Sequence, residues 1–109
     1  MSNKTISVLA MTTLLITGCA WVKLTPPGEK VRVLEAHEVS TCEELGKTTA
    51  SLADKIAGIK RNPGQVKKEL EILARNSAAN MGGDTIVPIT GVSDGQQSFA
   101  VYKCVGAAR

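Results

Sequence analysis

The stretch from Asn62 to Gly83 limits the choice of fold more than any other part of the chain. Asn62 is a good helix N-cap, Pro63 suits the first helical position, and Gln65 completes a capping-box-like pair. Val66, Leu70, Leu73, Ala74, Ser77 and Met81 then share one arc at helical spacing, and Lys67, Lys68, Glu71 and Arg75 lie opposite. Glu71 and Arg75 have the spacing of an i,i+4 ion pair. Gly82 stops the helix in the left-handed cap position, and Gly83 follows it. Ile72 and Ala79 fall on the outer side. The spacing therefore predicts one helix over Pro63–Met81 whose single apolar stripe must be buried against another element.

The other patterned segments are strand-like. Val31–Ala36 carries β-branched residues at alternate positions and reads as a first strand. Leu45–Ala50 is a weaker second one, with Gly46 marking a bulge or a close backbone approach. Thr85–Thr90 reads as a third, in which Pro88 must sit at an edge, an end or a bulge. Asp94-Gly95 marks a turn in the polar loop Gly91–Gln97. Ser98–Val105 is the last strand, with Phe99 and Val101 on one face and Ala100, Tyr102 and Cys104 on the other. Residues 51–61 leave two readings: a helical turn starting near Ser51 and Asp54, or a strand continued into a loop. The order β-β-α-β-β gives an α+β fold, one main helix packed on a small, mainly antiparallel sheet. At 109 residues there is room for one modest core, and with aromatics at 3% that core must be built from Val, Ile, Leu and Ala.

The front of the chain reads as an address. Lys4 gives a positive start, and Ile6–Ile16 is an apolar run about half as long as the roughly 20 residues of a spanning helix. Leu15-Ile16-Thr17-Gly18-Cys19 follows, which resembles the lipobox of bacterial lipoproteins. That resemblance implies a signal peptide over residues 1–18, diacylglycerol in thioether linkage on Cys19 and acylation, as by palmitate, of the new amine. An ordinary secretory leader with a chance cysteine is the alternative. Ala20 stands where an Asp would resemble an inner-membrane retention signal, which favours an outer-membrane, periplasm-facing address. Residues 19–30 read as a lipid-anchored tether, since Pro26-Pro27-Gly28 favours an extended or turned path. Trp21 suits either the headgroup level of the membrane or a simply exposed position. Residues 31–109 form the folded domain.

With Cys19 assigned to lipid, Cys42 and Cys104 remain as an even pair, 62 positions apart. In an oxidising periplasm a disulfide is the expected state, tying the start of the second strand to the end of the last. A reactive thiol is disfavoured at Cys42, because Glu43 and Glu44 follow it and no Cys-x-x-Cys is present. His37, Cys42 and Cys104 are too few soft ligands for a structural zinc, so no metal and no cofactor are expected.

Cys42-x-x-Leu45-Gly46, a helix closing on Ala78/Ala79-x-Met81-Gly82-Gly83, then Ile86 and Tyr102-Lys103-Cys104, all behind a lipobox, form an ordered set. Over about residues 15–104 this set resembles the bacterial lipoproteins of Domain of Unknown Function 4156. More distantly it is similar to the disulfide-tied domain of the outer-membrane lipoprotein that senses stress for the Rcs phosphorelay. The resemblance implies a helix against a small sheet and carries over no catalytic residue. Asp84 departs from the Asn common in the family after the paired glycines, and Leu52–Pro63 lacks a Gly- and Trp-containing insert.

Candidate chemistry is sparse. His37 is the sole imidazole, and no orienting partner is singled out for a catalytic role. Glu43-Glu44 could form an acid pair, but adjacent strand positions point apart. Gly82-Gly83-Asp84 ends a helix rather than opening one, so it is no phosphate cradle. One feature of charge stands out: Lys55, Lys60, Arg61, Lys67 and Lys68 fall in a stretch without an acidic residue. Lys67 and Lys68 also occupy the first helical turn, where the dipole disfavours cations. A solvated face is one reading; contact with an envelope protein, anionic lipid, lipopolysaccharide or cell-wall polymer is the other. A net charge of +3 is too small to suggest a nucleic-acid binder, and an exported chain does not meet cytoplasmic nucleic acid. The reading as a whole is a non-enzymatic envelope lipoprotein with a binding, sensing or structural role. A minor periplasmic hydrolase or thiol-disulfide factor is the alternative.

Overall fold

The structure, a computed structural model, describes residues 22–105. The stretch read as a signal peptide, residues 1–18, and Cys19 and Trp21 lie outside the described residues. In chain order the elements are the single helical turn α1 (Pro26–Glu29), β1 (Arg32–Val33), a 3-10 turn (Ala36–Glu38), β2 (Glu43–Ser51), β3 (Lys55–Ile56), β4 (Ile59–Lys60), α2 (Pro63–Asn80), β5 (Thr85–Pro88) and β6 (Gln96–Lys103). The main sheet has the order β1-β5-β6-β2. β5 and β6, and β6 and β2, pair antiparallel, while the short β1 joins β5 in parallel. β3 and β4 make a separate two-stranded hairpin. The α+β architecture, with one main helix on a mainly antiparallel sheet, is the one expected.

The core lies between α2 and one face of the sheet. Val66, Leu70, Ala74 and Ala78 of the helix pack with Ile86, Phe99 and Val101, and Val31 and Ala50 close the sides. Phe99, Leu70, Ile86 and Val101 are fully buried. The stripe is rotated relative to the predicted arc: Ala78 takes the place expected of Ser77, and Met81 is exposed. Leu73 and Ala79 are half-buried at its margins, so Ala79 does not belong to the outer side. Small residues at 74 and 78 let the helix lie close to the sheet, and that closeness tilts the buried arc toward them.

The helix ends are built as the sequence predicts. Asn62 Oδ1 accepts from the Gln65 backbone N–H at 3.1 Å, although the Gln65 side chain reaches forward to Glu69 rather than back to complete the box. At the other end Gly82 has φ +84°, Gly82 N donates to Ala79 O and Gly83 N donates to Ala78 O, the two bonds of a Schellman motif. Gly83 then passes so near β6 that a Cβ there would come within 2.6 Å of Val101 Cγ1.

Several expectations are corrected. The first strand is two residues long instead of six, because the backbone turns into the 3-10 segment at Ala36, capped by Glu35 and Glu38. The weaker second strand is in fact the longest, nine residues paired along β6, and its register shifts at Glu44/Gly46. Gly46, at φ +150°, supplies the expected bulge. As an edge strand, β2 is blunted by this bulge and by Glu43, Glu44 and Lys47. Residues 51–61 form no helical turn. β2 runs on to Ser51, and the β3–β4 hairpin follows around Ala57 and Gly58, both at positive φ. Glu71 is not paired with Arg75; Arg75 instead donates to Val31 O and Glu29 O.

Pro26-Pro27-Gly28, read as extended or turned, opens a helical turn capped by Thr25. The turn packs on α2, where Asn76 donates to Lys23 O and accepts from Thr25 N and Thr25 Oγ1. This part of the stretch read as a tether is fastened to the domain. No described helix is long and apolar enough to cross a membrane.

Candidate functional site

Strand periodicity places Gln97 on the same face of β6 as Phe99 and Val101, so a polar amide occupies the last core-facing rung. Gln97 Nε2 donates to Thr90 O at 3.0 Å, while Oε1 is buried without a partner among the described residues. Thr90 O can only accept, which fixes the orientation of the amide. Buried acceptors are nearly always satisfied in folded proteins, by protein groups, ordered water or a ligand.

Beyond Gln97 the helix and the sheet diverge into a cleft of about 530 Å³. Three pieces surround it: the first turns of α2 with Pro63, Val66 and Lys67, the hairpin with Lys55 and Lys60, and the loop 91–95 with Asp94. Asp94 and Gly95 both have positive φ and form the predicted turn. Gly95 fits because it lacks a side chain; its carbonyl accepts from Leu52 N at 2.9 Å and so joins the loop to the chain leading into the hairpin. Asp54 completes the rim.

The structure brings four of the five predicted cations, Lys55, Lys60, Arg61 and Lys67, to this cleft; Lys68 is not part of its lining. Arg61 has a different duty. Its guanidinium makes a two-pronged ion pair with Glu69, at 2.8 and 3.1 Å, and donates to Ala53 O. Glu69 also accepts from Gln65 Nε2 at 2.9 Å. The Arg61 bond holds the Glu69 carboxyl below its usual range, the Gln65 bond adds to this, and burial opposes both. Arg61 is thus a clamp that fixes the hairpin to α2 and sets where Lys55 and Lys60 stand. Those two lysines are directly opposite on β3 and β4. Like charges in that position repel, and the first turn of α2 carries no acidic residue to offset Lys67 or the positive helix end. The lysine side of the cleft is built to meet negative charge.

The opposite end of the sheet holds the Cys42–Cys104 disulfide, with Cα atoms 4.4 Å apart, one residue beyond the last rung Glu43–Lys103. Glu43 and Glu44 lie there on the exposed start of β2, away from the cleft. Asp84 secures this end. Its Oδ1 accepts from Cys104 N at 2.8 Å and Thr85 Oγ1 at 3.0 Å, and its Oδ2 accepts from Val105 N at 2.9 Å. Burial pushes its carboxyl up, but these bonds and the charge of Arg32 outweigh it and hold the group below its usual value. His37 sits on the exposed 3-10 turn with Glu35 and Glu38, their donor atoms within 4.8 Å of one another. Glu38 is already engaged there by the Glu35 backbone N–H.

A family model described as a domain of unknown function matches residues 22–104. The chain belongs to the DUF4156 family. No curated protein and no solved structure matches it. The DUF4156 match begins where the docked segment begins and ends at the second cysteine, so it spans the whole stapled unit.

Sequence reasoning missed Gln97, Asp54 and Asp94 as parts of a site. For Gln97 the signal was present, since period two extended back from Phe99 puts it on the core face. The hairpin was signalled by the mirror pattern Lys55-Ile56-Ala57-Gly58-Ile59-Lys60.

Proposed function

We propose that this DUF4156 chain is a non-enzymatic, lipid-anchored protein of the cell envelope. In this reading Cys19 is greased and holds the domain at the outer membrane, facing the periplasm, and the cleft beside the start of α2 binds cell-wall polymer. The observation that carries the binding role is the cleft itself: three lysines gathered at an electropositive helix end in one concave site. A bilayer surface is a poorer match, because the site is concave and Asp54 and Asp94 would repel anionic headgroups. The stapled Cys42–Cys104 pair supports an oxidising compartment. The lipobox-like run ending at Cys19 and the Ala20 that follows it support the anchor and its address.

The test is pelleting of the detergent-solubilised full chain with purified cell wall, with and without anionic lipid in the micelles. Wild type should pellet, and Lys55→Glu, Lys60→Glu and Lys67→Glu together should abolish it. Arg61 is left unchanged, because its loss would release the hairpin from α2. Equal pelleting of wild type and triple variant would overturn the reading, and so would pelleting that anionic lipid alone abolishes.

A further inference from the structure

We infer that the cleft recognises a short zwitterionic peptide, a ligand with free carboxylate and ammonium groups joined by amide N–H donors. This rests on the binding role proposed above and assigns the part of the polymer that is held: its peptide, not its glycan. The cleft has both signs of charge. Lys55, Lys60 and Lys67 offer ammonium groups to carboxylates, and Asp54 and Asp94 offer carboxylates to an ammonium group. A purely anionic ligand such as phosphate would leave the two aspartates opposed to it. Gln97 also lines the cleft, and its buried Oε1 has no partner among the described residues. An N–H donor, which a peptide backbone presents at each residue, would satisfy it once the Gln97 side chain turns toward the ligand.

The remaining lining fits the same ligand. Val66, Val92 and Pro63 add apolar surface for short side chains, and among the described residues no aromatic ring lines the cleft on which a sugar could stack. A volume of about 530 Å³ lies within the range of small-ligand sites and suits a few residues of peptide. The Arg61–Glu69 clamp and the Gly95–Leu52 bond hold two of the walls in place, so the site is largely formed before the ligand arrives.

The probe is a cell-wall stem tripeptide ending in diaminopimelate, titrated into isotope-labelled full chain in detergent micelles and followed by amide chemical shifts and calorimetry. Shifts should map to Lys55, Lys60, Lys67 and Gln97. Lys60→Glu should weaken binding by about tenfold, as loss of one charge-assisted bond does, and Gln97→Met by roughly threefold to tenfold, with both variants retaining the dispersed spectrum of the fold. N-acetylglucosamine and inorganic phosphate, used as separate probes, should cause no shifts at these residues. The inference is overturned if the tripeptide leaves them unmoved, or if the sugar or phosphate moves them equally. If the tripeptide is silent while lysine-dependent pelleting with cell wall persists, the peptide assignment falls and the binding role stands. If both are lost, both fall.

Discussion

Replacing Cys42 and Cys104 by Ser should remove a large part of the stability of this domain. The bond joins positions 62 residues apart. On the chain-entropy model, freeing a loop of that length stabilises the unfolded ensemble by about 4 kcal/mol. The folded side gives little in return, because the bond lies just past the last rung of the β2–β6 ladder, whose pairing on both sides of the Gly46 bulge does not depend on it. A core of mostly aliphatic side chains and alanine, with one phenylalanine, supplies stability toward the low end of the usual 5–15 kcal/mol. The midpoint of thermal unfolding should fall by roughly 16–32 °C for a domain of this size. Urea unfolding of the oxidised chain, the reduced chain and the double variant measures the effect. Reduction and substitution should agree within error, and m should rise in both, since the open chain exposes more surface on unfolding. A loss under about 1 kcal/mol, or an unchanged m, would refute the view that the staple acts mainly on the unfolded chain.

Asp84→Asn should cost about 1–3 kcal/mol at neutral pH, because Cys104 N and Val105 N donate to different oxygens and the Nδ2 that replaces one of them cannot accept. The folded Asp84 carboxyl is held low, so its contribution is complete above the unfolded value of about 3.9 and is lost as pH falls through the folded value; the difference between wild type and variant in urea melts should vanish over that window. Gly83→Ala should destabilise by about 1–3 kcal/mol through its clash with Val101, more than Gly82→Ala, where only the left-handed backbone is strained and no atom lies within 4 Å. Asn76→Ala should speed hydrogen exchange at the Thr25 amide while leaving exchange in β6 unchanged, since its side-chain hydrogen bonds all go to Lys23 and Thr25.

What could be read in advance depended on whether one local signal decided the outcome. The helix was legible because Asn62, Pro63 and Gly82 all punctuate the same period. The stripe was legible only to within a rotation, because alanines count for little on a hydrophobicity pattern yet allow the closest packing at Ala74 and Ala78. The length of β2 was hidden by its polar sequence, Lys47-Thr48-Thr49, which an edge strand tolerates because one side meets water. β1 was overestimated because its β-branched pattern says nothing of the capping of the 3-10 turn by Glu35 and Glu38. The disulfide was legible from the cysteine number, once Cys19 was set aside, and from the compartment that the lipobox-like run led one to expect. The cationic face was visible as a charge run, but its division into a clamp at Arg61 and a lysine rim depends on Glu69, which reads as an ordinary polar helix residue in sequence. The cleft joins residues 54, 67 and 94, and no local pattern records that meeting.

The proposed export and lipid anchoring, with the staple, would place the domain where the proposed binding can occur, and one intact-mass spectrum of protein extracted from membranes reads all three. The expected species begins at Cys19, carries the mass of diacylglycerol and an acyl chain, and lacks the two hydrogens of a Cys42–Cys104 bond. An unmodified chain beginning at Met1 with three free thiols would contradict the envelope reading outright.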